Sequence, residues 1–356
     1  IETFTLDVFG AGNDRGQLGM NNRTAYSSPV QIGADSNWKS VNGSYDNWEN
    51  GSSSFVDGSS KLWMVGKNNY GQLGINDRTE RSSPVQVGTG DGWSFTVNSQ
   101  SNTMGVKTDG TLWSWGYATQ GNLGLNDRTN RSSPVQVGTD TDWSSSRDKY
   151  ICQSEFRGAI KTDGKLYMWG ANQYGQLGKS NRQKYSSPVS IGGDDWKWVS
   201  SDQASFVAAI RTDGTLWTWG ANEYGWLGQN QSDNKRKSSA TQVGSGTDWN
   251  YVHCSQCVMA TKTDGTLWGW GPNAFGCLGV SPTGGGSYST NSRSSPIQIP
   301  GTNWVRPLGG QLWSGAFKSD GTLWMWGRQD TSGALGQNNR TNRSSPVQVP
   351  GSWKYE

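Results

Sequence analysis

The sequence predicts an all-β fold, a seven-bladed β-propeller whose blades are sheets of four short antiparallel strands. A block of about fifty residues recurs seven times, and repeats of this length are typical of propellers and solenoids. The blocks contain short apolar segments and turn signals without helical periodicity. Aliphatic side chains are few, while the chain has 50 glycines and 21 tryptophans. We therefore expect a core built from indole rings.

The second block shows the strand signals in order. The short apolar segment Met104–Lys107 is followed by Asp109–Gly110, a favoured two-residue hairpin turn. Thr111–Trp115 alternates a Thr/Trp face with a Leu/Ser face, as a strand does. Leu123 marks a third strand between glycines, and Pro134–Val137 a fourth, with proline at the first position, where no ladder hydrogen bond is lost. Similar Asp-Gly pairs begin at Asp57, Asp163, Asp213, Asp264 and Asp320.

Two markers recur seven times and predict how the chain closes. A Gly-x-Leu-Gly element begins at Gly16, Gly71, Gly121, Gly175, Gly225, Gly276 and Gly333. An opening tryptophan stands at Trp38, Trp93, Trp143, Trp196, Trp249, Trp304 and Trp353. The last tryptophan has no block after it and the first Gly-x-Leu-Gly has no tryptophan before it. The amino- and carboxy-terminal segments are therefore predicted to share one blade, which makes residues 1–356 a single propeller domain.

The seam between the two ends is short of one inner strand. Three explanations stay open: the natural chain continues beyond these ends, the blade has three strands, or a partner chain donates a strand. A stacked solenoid is the alternative fold, but solenoids need polar caps, and neither end of the sequence resembles one.

The repeated motif resembles a known family. The order Trp-Gly-x-Asn then Gly-Gln-Leu-Gly, as in Trp169–Asn172 and Gly175–Gly178, is similar to the repeat of the regulator of chromosome condensation. The resemblance implies a seven-bladed propeller, and such propellers serve as exchange factors, enzyme inhibitors and surface-binding modules. The family's Gly-x-x-His of the innermost strands has no histidine here. The uniform repeats and Asn/Ser/Thr-rich loops are similar to propellers encoded by bacteria and their viruses.

Charge, hydropathy and cysteine usage exclude several classes of function. With 31 basic and 28 acidic residues the net charge is +3, which is too balanced for a dedicated nucleic-acid binder. No stretch is apolar enough for a membrane span, and Ile1–Gly10 does not resemble a signal peptide. The four cysteines occupy different repeat positions, so we expect free thiols and synthesis in a reducing cytoplasm.

Counting strands predicts which loops share a rim. With Leu123 taken as a strand, the Asp-Gly hairpins and the basic loops before Ser-Ser-Pro fall on one rim, and the Trp-Gly-x-Asn loops on the other. The basic loops carry Arg23, Arg78, Arg81, Arg128, Arg131, Arg182, Lys184, Lys235, Arg236, Lys237, Arg293, Arg340 and Arg343. Each arginine either holds its own loop or contributes to an anion-binding surface; both interpretations stay open.

Departures from the repeat are the candidate binding loops, because insertions in propellers carry specificity. The loop Val280–Arg293 of the sixth repeat holds Tyr288 and Arg293, and Asn42–Ser54 holds Tyr45 and Trp48. In the fifth repeat the loop is extended around Lys235, Arg236 and Lys237. A solvated loop without a ligand is the alternative in each case.

Signals for an enzyme are weak. The one histidine, His253, stands beside Cys254 and Cys257, and a metal site needs three or four convergent ligands. On one extended strand the two cysteines would point to opposite faces. We therefore expect a structural histidine and no catalytic residue, cofactor or metal.

The sequence favours a non-enzymatic binding or structural module that acts through its rim loops. Our leading hypothesis is a decoration or surface-interaction protein of a virion, a phage head or tail component, located on the virion or an extracellular surface. Its partners would be other structural proteins of the particle or a surface glycan, with no membrane span and no nucleic acid. The alternatives are a regulatory propeller, either a guanine-nucleotide exchange factor or an enzyme inhibitor in the cytoplasm, and a carbohydrate-binding lectin.

Overall fold

The computed structural model describes residues 16, 18–24, 38–43, 51–202, 205–231, 235–281, 291–310, 312–329, 335–337, 341–351 and 353. Within these residues the chain forms six sheets of four antiparallel strands and two short 3-10 helices, Arg147–Lys149 and Ala274–Gly276. In every sheet the strands lie side by side in chain order. The repeated four-stranded sheet therefore agrees with the prediction, and of the segments expected to form the blade that joins the chain ends only residues 16, 18–24 and 353 are described.

The first three sheets are consecutive along the chain. Sheet 1 consists of β1 (Trp38–Gly43), β2 (Ser52–Asp57), β3 (Leu62–Gly66) and β4 (Arg81–Gln86). Sheet 2 consists of β5 (Trp93–Asn98), β6 (Asn102–Lys107), β7 (Leu112–Gly116) and β8 (Arg131–Gln136). Sheet 3 consists of β9 (Tyr150–Cys152), β10 (Phe156–Ile160), β11 (Leu166–Gly170) and β12 (Tyr185–Ser190).

The remaining three sheets follow in the same order. Sheet 4 consists of β13 (Trp196–Asp202), β14 (Phe206–Arg211), β15 (Leu216–Gly220) and β16 (Lys237–Gln242). Sheet 5 consists of β17 (Trp249–Cys254), β18 (Val258–Lys262), β19 (Leu267–Gly271) and β20 (Arg293–Ile299). Sheet 6 consists of β21 (Trp304–Gly309), β22 (Trp313–Lys318), β23 (Leu323–Gly327) and β24 (Arg343–Val349).

The chain divides into two compact halves. The first half comprises residues 1–171 and 183–192 and contains sheets 1 to 3. The second half comprises residues 172–182 and 193–356 and contains sheets 4 to 6. The prediction of one domain over residues 1–356 stays a prediction.

Indole rings build the core of each half, as predicted. Trp115 and Trp219, on the third strands of sheets 2 and 4, are fully buried and pack edge-to-face against opening tryptophans, with ring centroids 5.7 and 5.9 Å apart. The Nε1 of Trp115 donates to the carbonyl of Gln72 in the preceding repeat at 2.9 Å, and that of Trp219 to Gln176 at 2.9 Å. Each indole therefore joins its sheet to the loop of the repeat before it.

The predicted third strand at Leu123 is wrong. Leu123 is buried but lies in a turn between Gly121 and Gly124, whose positive φ angles of 76° and 75° are incompatible with a strand. The strand that the sequence analysis missed is the first one of each sheet, which starts at the opening tryptophan in five sheets, as in β5, and at Tyr150 in sheet 3. The predicted number of four strands per sheet is nevertheless correct, because the false strand at Leu123 takes the place of the missed first strand in the count.

Proline lies inside the outer strand rather than at its first position, which corrects the prediction for Pro134. β8 starts at Arg131, and among the described strands it pairs with β7 alone. An edge strand tolerates proline because its outward N–H needs no ladder partner. The equivalent prolines are Pro84, Pro188, Pro296 and Pro346, and β16 has Ala240 at this position.

Asp57 was assigned wrongly to a hairpin turn. It is the last residue of β2, and the left-handed position of that hairpin is taken by Ser60, with a φ of 61°. Its Oδ1 accepts hydrogen bonds from the backbone N–H groups of Ser59 and Lys61 at 2.9 and 3.0 Å. Asp57 therefore stabilises the turn from the preceding strand, because Ser59 stands where the other hairpins have an aspartate.

Candidate interaction surface

Each sheet has two ends with different loops. We call the loop end the one that carries the turn between the first and second strands and the long connection between the third and fourth. The hairpin end carries the Asp-Gly hairpin and the entry to the next opening tryptophan; Trp143 N–H, for example, donates to the Gly110 carbonyl at 3.2 Å. The predicted rim assignment is therefore wrong, since the basic loops and the Asp-Gly hairpins lie at opposite ends of their sheets. The error follows from counting Leu123 as a strand.

Most repeated polar residues of the loop end hold their own loop. The Nη2 of Arg81 lies 2.6 Å from Asp77 Oδ2, and its Nη1 donates to the Thr79 carbonyl at 3.0 Å. The buried Asn68 accepts from the Leu73 N–H at 2.9 Å and donates to the Thr79 carbonyl at 3.1 Å. The next repeat has the same ion pair, in which Arg131 Nη2 lies 2.5 Å from Asp127 Oδ2. These arginines are already neutralised, so the structural interpretation of the basic loops holds for them.

The basic cluster predicted at Lys235, Arg236 and Lys237 is split by the fold. The guanidinium of Arg236 lies 4.4 Å from the ring centroid of Tyr174, and its Nη2 is 3.4 Å from Glu223 Oε1. Lys237 begins β16, in register with Gly220, whereas Lys235 is exposed in the connection. Arg236 and Tyr174 therefore form one cation–π pair at the loop end of sheet 4.

Of the other predicted site residues, the structure describes only Arg293. Arg293 is the first residue of β20, where it pairs in register with Gly271. Tyr288, Tyr45 and Trp48 lie outside the described residues. The two candidate loops remain predictions, and both connect strands at the loop end of their sheets.

The prediction missed a set of aromatic side chains at the loop end. Tyr70 is 40% exposed, and its ring meets Tyr117 of the next repeat edge-on, with centroids 4.9 Å apart. Aromatic residues recur immediately before the first glycine of Gly-x-Leu-Gly, at Tyr70, Tyr174, Tyr224 and Phe275. This recurring aromatic position in the sequence could have predicted the set. Tyrosine and arginine are enriched among the residues that dominate binding energy at protein interfaces.

The hairpin aspartates bond to their own turns. Asp109 Oδ1 accepts from the Thr111 hydroxyl at 2.7 Å and from its N–H at 3.0 Å, and the same hydroxyl accepts from Trp113 Nε1 at 2.9 Å. The hydrogen bond from the Thr111 side chain, helped by its backbone amide, lowers the pKa of Asp109. The same arrangement recurs at Asp213, Asp264 and Asp320. A carboxylate held in this way is a poor general acid or base near neutral pH.

His253 has a structural contact in the second half. Its Nε2 lies 3.3 Å from the Gly309 carbonyl on the next sheet. Cys254 ends β17 and Cys257 lies in the turn before β18, so the prediction that both occupy one extended strand is wrong. All four cysteines are free thiols, and no group of three or more His, Cys, Asp or Glu side chains suited to a metal ion occurs among the described residues. In the same residues no helix is long and apolar enough to cross a membrane.

Comparison with known proteins supports the repeat and the fold. Residues 59–96, 109–147 and 163–201 match the family model of the regulator of chromosome condensation (RCC1) repeat. The chain is 26% identical over 207 residues to the ultraviolet-B receptor UVR8 of Arabidopsis thaliana, which covers 54% of this chain and 43% of that protein. It is 29% identical over 138 residues to the X-linked retinitis pigmentosa GTPase regulator of the dog, Canis lupus familiaris, covering 38% of this chain and 14% of that protein.

The chain thus spans less than half the length of these two relatives. The crystal structure of yeast RCC1 (Prp20) bound to Kap60 matches with a TM-score of 0.75 at 17% identity, covering 96% of this chain and 83% of that one. This likeness confirms the predicted class, an all-β propeller of four-stranded sheets. These relatives come from a plant, a dog and yeast, and the bacterial or phage character expected from the sequence stays a prediction.

Proposed function

We propose that this chain is a non-enzymatic protein-binding module that contacts its partner through the loop ends of its sheets. One observation carries the proposal: the repeated polar residues of these loops bond to each other, while aromatic side chains of the same loops reach the surface. Arg81 is paired with Asp77, whereas Tyr70 and Tyr117 form an aromatic pair at the surface. RCC1-like propellers are protein-interaction modules, which supports this role.

We further propose that the partner belongs to a viral particle, as the sequence predicts. The test is co-sedimentation with purified virions of any virus whose genome encodes this chain. The informative variant is Tyr70→Ala with Tyr117→Ala, which removes the aromatic pair without touching the buried indoles. Lys165→Ala is the matched control, because Lys165 is exposed at the hairpin end of sheet 3, where it pairs with Asp163.

We expect the wild-type chain and the control to sediment with the particles, and the double variant to bind at least ten-fold more weakly. Removing two aromatic contacts of an interface centre removes about 2 kcal/mol or more. Absence of the wild-type chain from every particle would refute the virion setting. Equal binding of all three chains would refute the assignment of the loop ends.

A regulator of a small GTPase is the second candidate. It is favoured by the dog relative, whose name is that of a GTPase regulator, and by a second structure of yeast Prp20p, whose title records binding properties to Gsp1p and histones. The measurement is release of a fluorescent guanine nucleotide from a panel of small GTPases. Acceleration by the wild-type chain would support this candidate, and unchanged release across the panel would count against it. A lectin role stays a prediction that a glycan array tests.

A further inference from the structure

A cation between two aromatic rings recurs at the hairpin end of five described sheets. The cation is a lysine or arginine at the end of the second strand. One ring belongs to the opening tryptophan, and the other belongs to a residue of the third strand. The distances from the charged group to the two ring centroids run from 4.4 to 5.1 Å. The five sets are Lys107 with Trp93 and Trp113, Lys161 with Trp143 and Tyr167, Arg211 with Trp196 and Trp217, Lys262 with Trp249 and Trp268, and Lys318 with Trp304 and Trp324.

Sheet 1 has the two rings but an acidic residue in place of the cation. Trp38 pairs in register with Asp57, as Trp93 pairs with Lys107 in sheet 2. Trp63 occupies the third-strand position equivalent to Trp113. Within the described residues no lysine or arginine lies over Trp38 or Trp63. Sheet 1 therefore has tryptophan at both ring positions and aspartate at the position of the cation.

Burial of the opening tryptophans agrees with this difference. The five opening tryptophans that have a cation are at most 6% exposed, whereas Trp38 is only half-buried. Its ring packs against Phe55 on one side, with centroids 5.2 Å apart. Trp38 therefore keeps surface that its counterparts bury.

The Asp57 carboxylate does not cover the face of the Trp63 ring. Its Oδ2 accepts a hydrogen bond from Trp63 Nε1 at 2.9 Å, so the contact is at the edge of the indole and not over its face. Partial desolvation raises the pKa of Asp57, but the hydrogen bonds from Trp63 and from the backbone of Lys61 and Ser59 outweigh it, and the pKa lies below its usual value. The carboxylate is thus ionised at neutral pH, bonded to the edge of Trp63 and in register with Trp38.

The lysines closest in sequence to Trp38 and Trp63 do not lie over either ring. The Nζ of Lys39 donates to Ser60 Oγ in the hairpin at 3.3 Å. Lys61 favours the ionised form of Asp57 by charge without lying over either ring. A cation from outside the chain would meet tryptophans at the two positions that hold the internal cations of the other five sheets, with a carboxylate in addition.

We propose that Trp38, Trp63 and Asp57 form a binding site for one protonated lysine or arginine side chain of a partner protein. Cation–π attraction to indole is the strongest of the aromatic series, and Asp57 adds the opposite charge. The proposal is independent of the loop-end surface, since this site lies at the hairpin end of sheet 1.

The experiment uses butylammonium as the probe and butanol as its neutral control. The protein is labelled with 5-fluorotryptophan, and the variants Trp38→Phe and Trp63→Phe assign the two ¹⁹F resonances. We expect both resonances to shift with butylammonium and neither with butanol. Asp57→Asn should weaken the response by about two- to five-fold, as expected for loss of one partly exposed charge, and Asp57→Lys should abolish it. The other tryptophan resonances report whether each variant is folded.

Lys262→Ala provides a positive control within the same chain. It opens the equivalent pair, Trp249 and Trp268, to which butylammonium should then bind. A response at that opened pair without any response at Trp38 and Trp63 would overturn the proposal. An unchanged response in Asp57→Lys would also overturn it, because the probe would then bind somewhere other than between these rings.

Discussion

Replacing Gly71 with alanine tests how tightly consecutive sheets are joined. Gly71 lies in the loop of sheet 1 with a φ of 83°, and a Cβ there would stand 2.5 Å from the Ser132 Cα on the outer strand of sheet 2. Gly88 is the matched control, because it has a φ of 64° and a Cβ added there would meet no atom within 4 Å. Both substitutions place an alanine at a positive φ, but only the alanine at position 71 would also clash with Ser132.

The expected sizes follow from that difference. A left-handed backbone costs an L-residue about 1–2 kcal/mol, and both variants gain the same small benefit from a less flexible unfolded chain. Overpacking against a backbone atom adds about 1–3 kcal/mol, and only Gly71→Ala incurs it. We therefore expect Gly71→Ala to lower the free energy of unfolding by about 1–3 kcal/mol more than Gly88→Ala does.

Urea denaturation followed by tryptophan fluorescence measures both variants against the wild type. The comparison needs equal slopes against urea concentration, so that the midpoints report stability alone. If the two variants unfold within about 0.5 kcal/mol of each other, the loop of sheet 1 is not packed tightly against sheet 2, and the reasoning fails.

Three further outcomes are expected. The hydrogen bond from the Thr215 hydroxyl, with its backbone amide, lowers the pKa of Asp213, so its stabilisation is complete above the unfolded pKa of about 3.9 and is lost as the pH falls below that value. Asp213→Asn should therefore reduce the fall in melting temperature between pH 6 and pH 3, and an unchanged fall would contradict this. Lys262→Met should cost about 1 kcal/mol in thermal unfolding, since the ammonium leaves both rings and Asp248, 3.2 Å away; unchanged stability would mean that this cation contributes nothing. At most one of the four thiols should react with Ellman's reagent in the folded protein, because three are buried, and fast reaction of three would contradict that burial.

The number of strands per sheet could be predicted from the repeat, but their boundaries could not. Leu123 is apolar and flanked by glycines, which is equally true of a short strand and of a buried turn. Only the positive φ of Gly121 and Gly124 distinguishes them, and glycine permits both conformations. The wrong strand then reversed the assignment of the basic loops, because loop ends follow from counting strands.

The partners of the charged side chains could not be predicted from the sequence, for a different reason. Arg81 and Asp77 face each other because an asparagine, Asn68, shapes their loop through contacts eleven residues apart or less. Arg157 is fully buried and bonds to the Phe156 carbonyl at 3.0 Å and to Asn102 of the neighbouring sheet. No periodicity predicts a buried guanidinium, since the equivalent positions of other sheets hold small or apolar residues.

The outer strands bear on how such a chain avoids self-association. An open sheet edge can template another chain, and proline or a covering loop prevents this. Five of the six described outer strands carry proline inside the strand, and in the first half the N–H of Asn76 reaches over to the Ser132 carbonyl at 2.7 Å. The outer strand with Ala240 lacks the proline and keeps only the covering loop, through the N–H of Ser180 and the Ser238 carbonyl at 2.7 Å, so we expect its edge to be the least protected against pairing with another chain.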